Sequence, residues 1–163
     1  MSVIDSVEFA RSGQTLRGSL PIPQLARVKD SLADVLGNVE FLVQGAHDAR
    51  RRPVLMVEID GVLHLQCQRC LGLLEFPLRL ATTLLLVSAG DAAQGEVDGE
   101  DVDWIEASGE LDVATLVEDE ILLSLPYAPR HAEGLCGQGM SLAVDTAAGS
   151  AFAKLSALNR NTH

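Results

Sequence analysis

The chain has 163 residues, 47% of them apolar but only 4% aromatic, and a formal net charge of −11. That length suits one domain with an aliphatic core of Leu, Val and Ala, and the net charge argues against gripping phosphate by bulk electrostatics. No apolar run approaches the roughly 20 residues of a membrane-spanning helix, and the first residues, MSVIDSVEFARSG, lack a basic start and an apolar signal segment, so a cytoplasmic protein is expected.

In chain order, residues 15–22 predict a short strand closed by Pro21 and Pro23. Residues 24–36 place Leu25, Val28, Leu32, Val35 and Leu36 at helical spacing and predict a helix ended by Gly37. From Asn38 the period changes to two, with Val39, Phe41 and Val43 on one side, and residues 45–52 form a turn. Residues 54–59 and 62–66 are strand-like runs flanking Asp60-Gly61, a hairpin signal. Residues 73–80 and 81–88 are further strand, with Pro77 suggesting an edge or a bulge. Four or five antiparallel strands are expected between 38 and 88. Residues 89–110, rich in Gly, Asp and Glu, predict a loop or a mobile acidic segment. Asp112 is placed to N-cap a helix that runs to Leu125 and stops at Pro126.

The expected fold is α+β: an antiparallel sheet of four to six strands, a few helices packed against it, and a short C-terminal helix. The domain spans residues 1–136, with the acidic loop 89–110 inside it. Residues 137–163 are a flexible linker and a short helix, on which Phe152, Leu155 and Leu158 fall roughly on one side. That strip either folds back onto the core or docks on a partner, and the flexible segment before it tips the reading towards docking.

Charge is unevenly distributed. Residues 1–90 hold nine Lys/Arg and nine Asp/Glu, whereas residues 91–163 hold three against fourteen. A solubilising surface explains such acidity, and so does a surface for basic partners. Arg50, Arg51 and Arg52 offer one local patch to an anion, although three adjacent arginines before Pro53 equally suit a solvated turn.

Cys67-Gln68-Arg69-Cys70 carries the clearest chemical signal. Cysteines at this spacing turn both sulfurs towards one point, half of a tetrahedral zinc site. His131 and Cys136 are the downstream candidates to complete a Cys3His set for zinc or another thiophilic metal. The alternatives are ordinary thiols, or a redox pair. A thioredoxin-type pair sits at a helix N-terminus, whereas this one leaves one strand-like run and enters another. On the wheel of the 112–125 helix, Glu120 falls within the apolar face of Val113, Leu116 and Val117. A carboxylate there needs a partner, and Arg69 is the candidate for a buried ion pair. No Ser-His-Asp arrangement, phosphate loop or His-Glu-x-x-His segment is present, so neither an enzyme nor a small-molecule substrate is expected.

Cys67-Gln68-Arg69-Cys70, Glu110-Leu111-Asp112-Val113, the block from Leu116 through Val117-Glu118-Asp119-Glu120-Ile121 to Pro126, then Pro129, His131 and Cys136, come in an order that resembles the YceD family of large ribosomal RNA subunit accumulation proteins. The closing run from Ala151 to Leu158 is similar as well. The resemblance implies a non-enzymatic role in 23S ribosomal RNA accumulation or processing and in large-subunit assembly. The partners implied are a ribosomal protein, a large-subunit ribosomal RNA precursor, or both, with Arg50, Arg51, Arg52, Arg69, Phe152, Leu155 and Leu158 as contact candidates. A thiol/disulfide protein using Cys67 and Cys70 is the competing class.

Overall fold

The computed structural model describes residues 2–90 and 102–136. In chain order these form β1 (Val3–Ile4), α1 (Ser6–Arg11), β2 (Thr15–Pro21), β3 (Asn38–His47), β4 (Pro53–Gln66), β5 (Leu73–Val87), β6 (Trp104–Glu106), β7 (Leu111–Asp112) and α2 (Val113–Ser124), with 3-10 turns at Ile22–Gln24 and Val28–Ser31. The main sheet has the order β2-β3-β4-β5-β6, antiparallel except for β6, which runs parallel to β5. β1 and β7 form a separate two-stranded ribbon. The class is α+β, as expected.

Alternation selects the covered face. Successive strand side chains point to opposite sides, so Leu55, Val57, Ile59, Leu63 and Leu65 of β4 lie on one face and are buried. Register puts Val39, Val43, Leu78 and Leu84 beside them. α1, the 3-10 turns and α2 contribute Phe9, Ile22, Leu25, Val28, Val113, Leu116, Val117 and Ile121 to this core. At Gly45 the approach of α1 is so close that an added Cβ would lie 2.2 Å from the Phe9 carbonyl oxygen and 2.7 Å from Ala10 Cα. Only a residue without a side chain brings these backbones together.

Four expectations are corrected. Asp60-Gly61 is not a turn: β4 runs straight through it, with Asp60 opposite Arg79 and Gly61 opposite Val39 and Leu78. Residues 73–88 are likewise one strand, so three long strands occupy the region where four or five were expected. The helix expected over 24–36 is replaced by the two 3-10 turns. Leu25 and Val28 are buried as their spacing demanded, since a spacing of three residues suits a 3-10 turn as well as an α-helix. Trp104–Glu106, within the segment read as loop, is a strand.

Asp112 caps α2 as expected, accepting from the Ala114 N–H at 3.0 Å, an interaction worth about 1 kcal/mol. Leu125 and Pro126 follow the last turn. Pro77 pairs only with β4, because β6 reaches no further along β5 than Leu85, so it lies on an edge as expected. The linker and helix expected in residues 137–163, including Phe152, Leu155 and Leu158, lie outside the described residues, as does half of the acidic loop.

Candidate metal centre

The period-two pattern that buries Leu63 and Leu65 continues into Cys67, which is fully buried just beyond the end of β4. The chain then reverses in a tight turn. Cys67 N–H donates to the Gly72 carbonyl at 2.9 Å, and Leu71 N–H donates to the Cys67 carbonyl at 2.8 Å. Leu71 takes the left-handed conformation, φ 59°, that lets the turn close. After α2, Pro126 ends the helix and the chain crosses back to the cysteine turn, where Gln68 N–H donates to the Pro129 carbonyl at 2.8 Å. A second reversal at Gly134, φ +83°, brings in Cys136.

These two turns bring together Cys67, Cys70, His131 and Cys136, with one ligand atom of each within 4.8 Å of the others. Cys67 Sγ is 3.7 Å from Cys136 Sγ, and His131 Nδ1 is 3.4 Å from Cys70 Sγ and 3.8 Å from Cys136 Sγ. In a zinc tetrahedron with Zn–S near 2.3 Å and Zn–N near 2.0 Å, sulfurs sit about 3.8 Å apart and sulfur and nitrogen about 3.5 Å apart. These three of the six donor pairs are therefore already near tetrahedral spacing, and all four donors lie within 4.8 Å of one another. Hydrogen bonds around the cluster prepare it further. His131 Nε2 donates to the Leu73 carbonyl at 2.9 Å, so the ring presents Nδ1 to the sulfurs. Arg69 Nε donates to Cys136 Sγ at 2.9 Å.

Electrostatics point the same way. Burial pushes the Cys67 thiol up, but the N–H groups of His131, Cys70 and Arg69 outweigh it and bring it down to about 5. The Gly72 N–H lowers Cys70, with His131 and Cys136 contributing. Hydrogen bonding to Leu73 and to the cysteine sulfurs raises His131. Burial beside the other sulfurs keeps Cys136 up despite Arg69. Two sulfurs thus favour the thiolate, the form that binds metal, and the donor set fits zinc. The motif joins β4 to β5 and has no helix N-terminus beside it.

The expected Arg69–Glu120 ion pair does not form; among the described residues no ion pair joins them. Arg69 is engaged with Cys136, while Glu120 is buried next to Thr82, Asp103 and Asp119. Burial, reinforced by the two aspartates, raises its pKa. The carboxylate of α2 that finds an arginine is Glu118. It accepts from the N–H groups of Arg27 and Val28 and from Arg27 Nε. On the helical wheel Glu118 lay to one side of the apolar face, and nothing in the local sequence pointed to Arg27, 91 residues away.

The contact candidates fall in two places. Arg50, Arg51 and Arg52 lie in the β3–β4 turn and Arg69 in the β4–β5 turn, at opposite ends of the 14-residue β4, a span on the order of 40 Å. The arginine turn is organised by Asp48, whose carboxylate accepts from the N–H groups of Arg50 and Arg52 and pairs with Arg52 Nε at 2.7 Å. Of the other histidines, His64 is bound to Asp34 at 2.8 Å, away from the cysteines.

The profile of a family described as "Large ribosomal RNA subunit accumulation protein YceD" matches residues 55–159. The chain belongs to the YceD family. A protein of that same name from Haemophilus influenzae is 26% identical over 133 residues, covering 82% of this chain and 76% of the relative. No solved structure matches. The matched region contains both cysteine turns and all of α2, so the cluster lies within the part shared with the family. No helix among the described residues is long and apolar enough to cross a membrane.

Proposed function

We propose that this protein is a non-catalytic factor supporting accumulation of large-subunit ribosomal RNA, and that Cys67, Cys70, His131 and Cys136 hold a structural zinc ion. The role comes from the family and from the name of the Haemophilus relative. The zinc reading is carried by one observation, the four donors within 4.8 Å of one another with three of their pairs near tetrahedral spacing. Bound there, zinc ties the β4–β5 turn to the segment after α2. The protein then works by binding in the cytoplasm, with a basic ribosomal protein or a large-subunit RNA precursor as partner. Arg69 at the metal turn and Arg50, Arg51 and Arg52 at the far turn are the candidate contacts, and the acidic second half favours a basic protein.

The experiment is depletion of the protein in its host, followed by the ratio of 23S to 16S ribosomal RNA. The ratio falls on depletion, recovers with the wild-type gene, and recovers poorly with a Cys67→Ser/Cys70→Ser variant. An unchanged ratio rules the role out. Binding to ribosomal RNA that weakens steeply with salt marks an RNA partner, whereas binding to a basic ribosomal protein alone marks an escort role. The low pKa of Cys67 also suits a redox thiol. A disulfide-reductase activity in the wild type that disappears in Cys67→Ser would favour that class.

A further inference from the structure

A groove lies away from the metal cluster, where α2 leaves part of the sheet's inner face uncovered. It has a volume of about 760 Å³ and lies between α2 and the β5–β6 pair. Its walls are apolar, from Leu80, Leu84, Trp104 and Leu123, while Asp103 and Glu120 make it acidic; Asp119, also on its wall, is already paired with Arg27 at 2.6 Å. Trp104 is 42% exposed and Leu123 82% exposed. A groove of this character calls for an apolar occupant that also brings positive charge to Asp103 and Glu120.

We propose that the occupant is the chain's own segment 150–160. Three observations support it. Phe152, Leu155 and Leu158 recur at a spacing that puts them on one face of a helix, with Ala and Ser making up most of the rest, so the backbone can approach closely. After Asp145 the chain has no acidic residue, whereas it has Lys154 and Arg160, a local reversal of the charge of residues 91–145. The link from Cys136 to Phe152 is also long enough, since at about 3.5 Å per residue it reaches roughly 50 Å, more than the width of a domain this size. The family match extends to residue 159, so this segment lies within the matched region. A helix this short is marginal by itself in water, and the apolar walls supply what it needs to form. Lys154 or Arg160 then neutralises Asp103 and Glu120, and Phe152, Leu155 and Leu158 cover Trp104 and Leu123.

Trp104 is the chain's single tryptophan, so its fluorescence reports the groove directly. In the full-length protein its emission is expected to be blue-shifted and protected from acrylamide. Phe152→Ser/Leu155→Ser shifts it to the red and raises the quenching constant, and Lys154→Glu does the same at low salt. A free peptide of residues 148–163 reverses the change in the double variant only at concentrations on the order of millimolar, the effective concentration a short tether provides. Independently of any substitution, a carbodiimide should couple Lys154 to Asp103 or Glu120 within one wild-type chain. Emission and quenching that are identical in wild type and variants, with no intrachain coupling, overturn the proposal. So does protection that is lost on dilution as a dimer dissociates, which assigns the groove to the segment of a second copy. Protection that arises only when a basic partner is added overturns it too.

Discussion

His131 Nε2 donates to the carbonyl oxygen of Leu73 at 2.9 Å. A carbonyl can only accept, so in the neutral ring this bond leaves the lone pair on Nδ1, facing Cys70 and Cys136. The strand that follows the cysteine turn thereby sets the tautomer of a ligand 58 residues away. Metal binding must displace protons from His131 and Cys136, both of which hold them above their ordinary values. Zinc affinity is therefore expected to fall as pH is lowered. Competition with a chromophoric chelator across the acid range measures this, and affinity independent of pH would contradict the assigned ligands.

Protein purified without added zinc should contain about one zinc per chain, and Cys67→Ser/Cys70→Ser none. Cys70 and His131 are 61 residues apart. A clip closing a loop of that size removes denatured-state entropy worth on the order of 4 kcal/mol. Chelation and the double substitution should each lower stability by about this amount, read from denaturant midpoints. Metal-free wild type as stable as the zinc-loaded form would exclude a structural ion.

Arg69→Gln removes the 2.9 Å hydrogen bond to Cys136 Sγ. Arg69 itself is exposed, so the fold should be unaffected. Loss of such an outer hydrogen bond typically lowers metal affinity about 10–100-fold. A chelator titration that detects no change would reduce Arg69 to a surface contact.

Glu118 gives a pH dependence with a definite sign. Burial pushes its carboxyl up, but the N–H groups of Arg27 and Val28 and the Arg27 guanidinium hold it below its ordinary value of 4.5. Its stabilising contribution is then complete above the unfolded value and is lost as pH falls through the folded one. Glu118→Gln should flatten the acid limb of the stability curve. Glu118→Ala leaves two N–H groups without their acceptor and should cost about 2 kcal/mol at neutral pH. Denaturant melts at neutral and acid pH distinguish the two variants.

Gly45→Ala should be among the most damaging single changes in the chain. The added methyl meets backbone atoms of Phe9 and Ala10, not the end of a flexible side chain. Overpacking of that kind costs about 3 kcal/mol or more. A thermal melt within a degree or two of wild type would mean that α1 shifts freely over β3.

What the sequence conveyed depended on how local the cause was. Asp112, Pro126 and the apolar spacing between them define α2 within a dozen residues, and the structure agrees closely. The Cys3His cluster was legible because soft donors are scarce: three cysteines narrow the choice to a few combinations. Asp60-Gly61 misled because a glycine that permits a turn also permits close packing, and here Gly61 lies under Val39. Leu25 and Val28 misled because a spacing of three residues fits a 3-10 turn as well as an α-helix. β6 was invisible, since three residues carry no usable period and its partner is set by the tertiary fold. Glu120 was correctly placed on the buried side, but its surroundings lie on other elements that the helix pattern does not describe.

The long β3-β4-β5 meander also dictates an order of assembly. Its strands pair with immediate neighbours in sequence, and contacts of that kind form early because little chain must be ordered to make them. The ligands split the other way: two belong to the β4–β5 turn and two lie after α2. During synthesis, the first pair emerges with its hairpin while the second is still to come. β1 too waits for β7 to arrive. Assembly of the four donors and pairing of the N-terminal strand are therefore late steps, and a nascent or truncated chain ending before His131 would present a folded sheet with an open pair of cysteines.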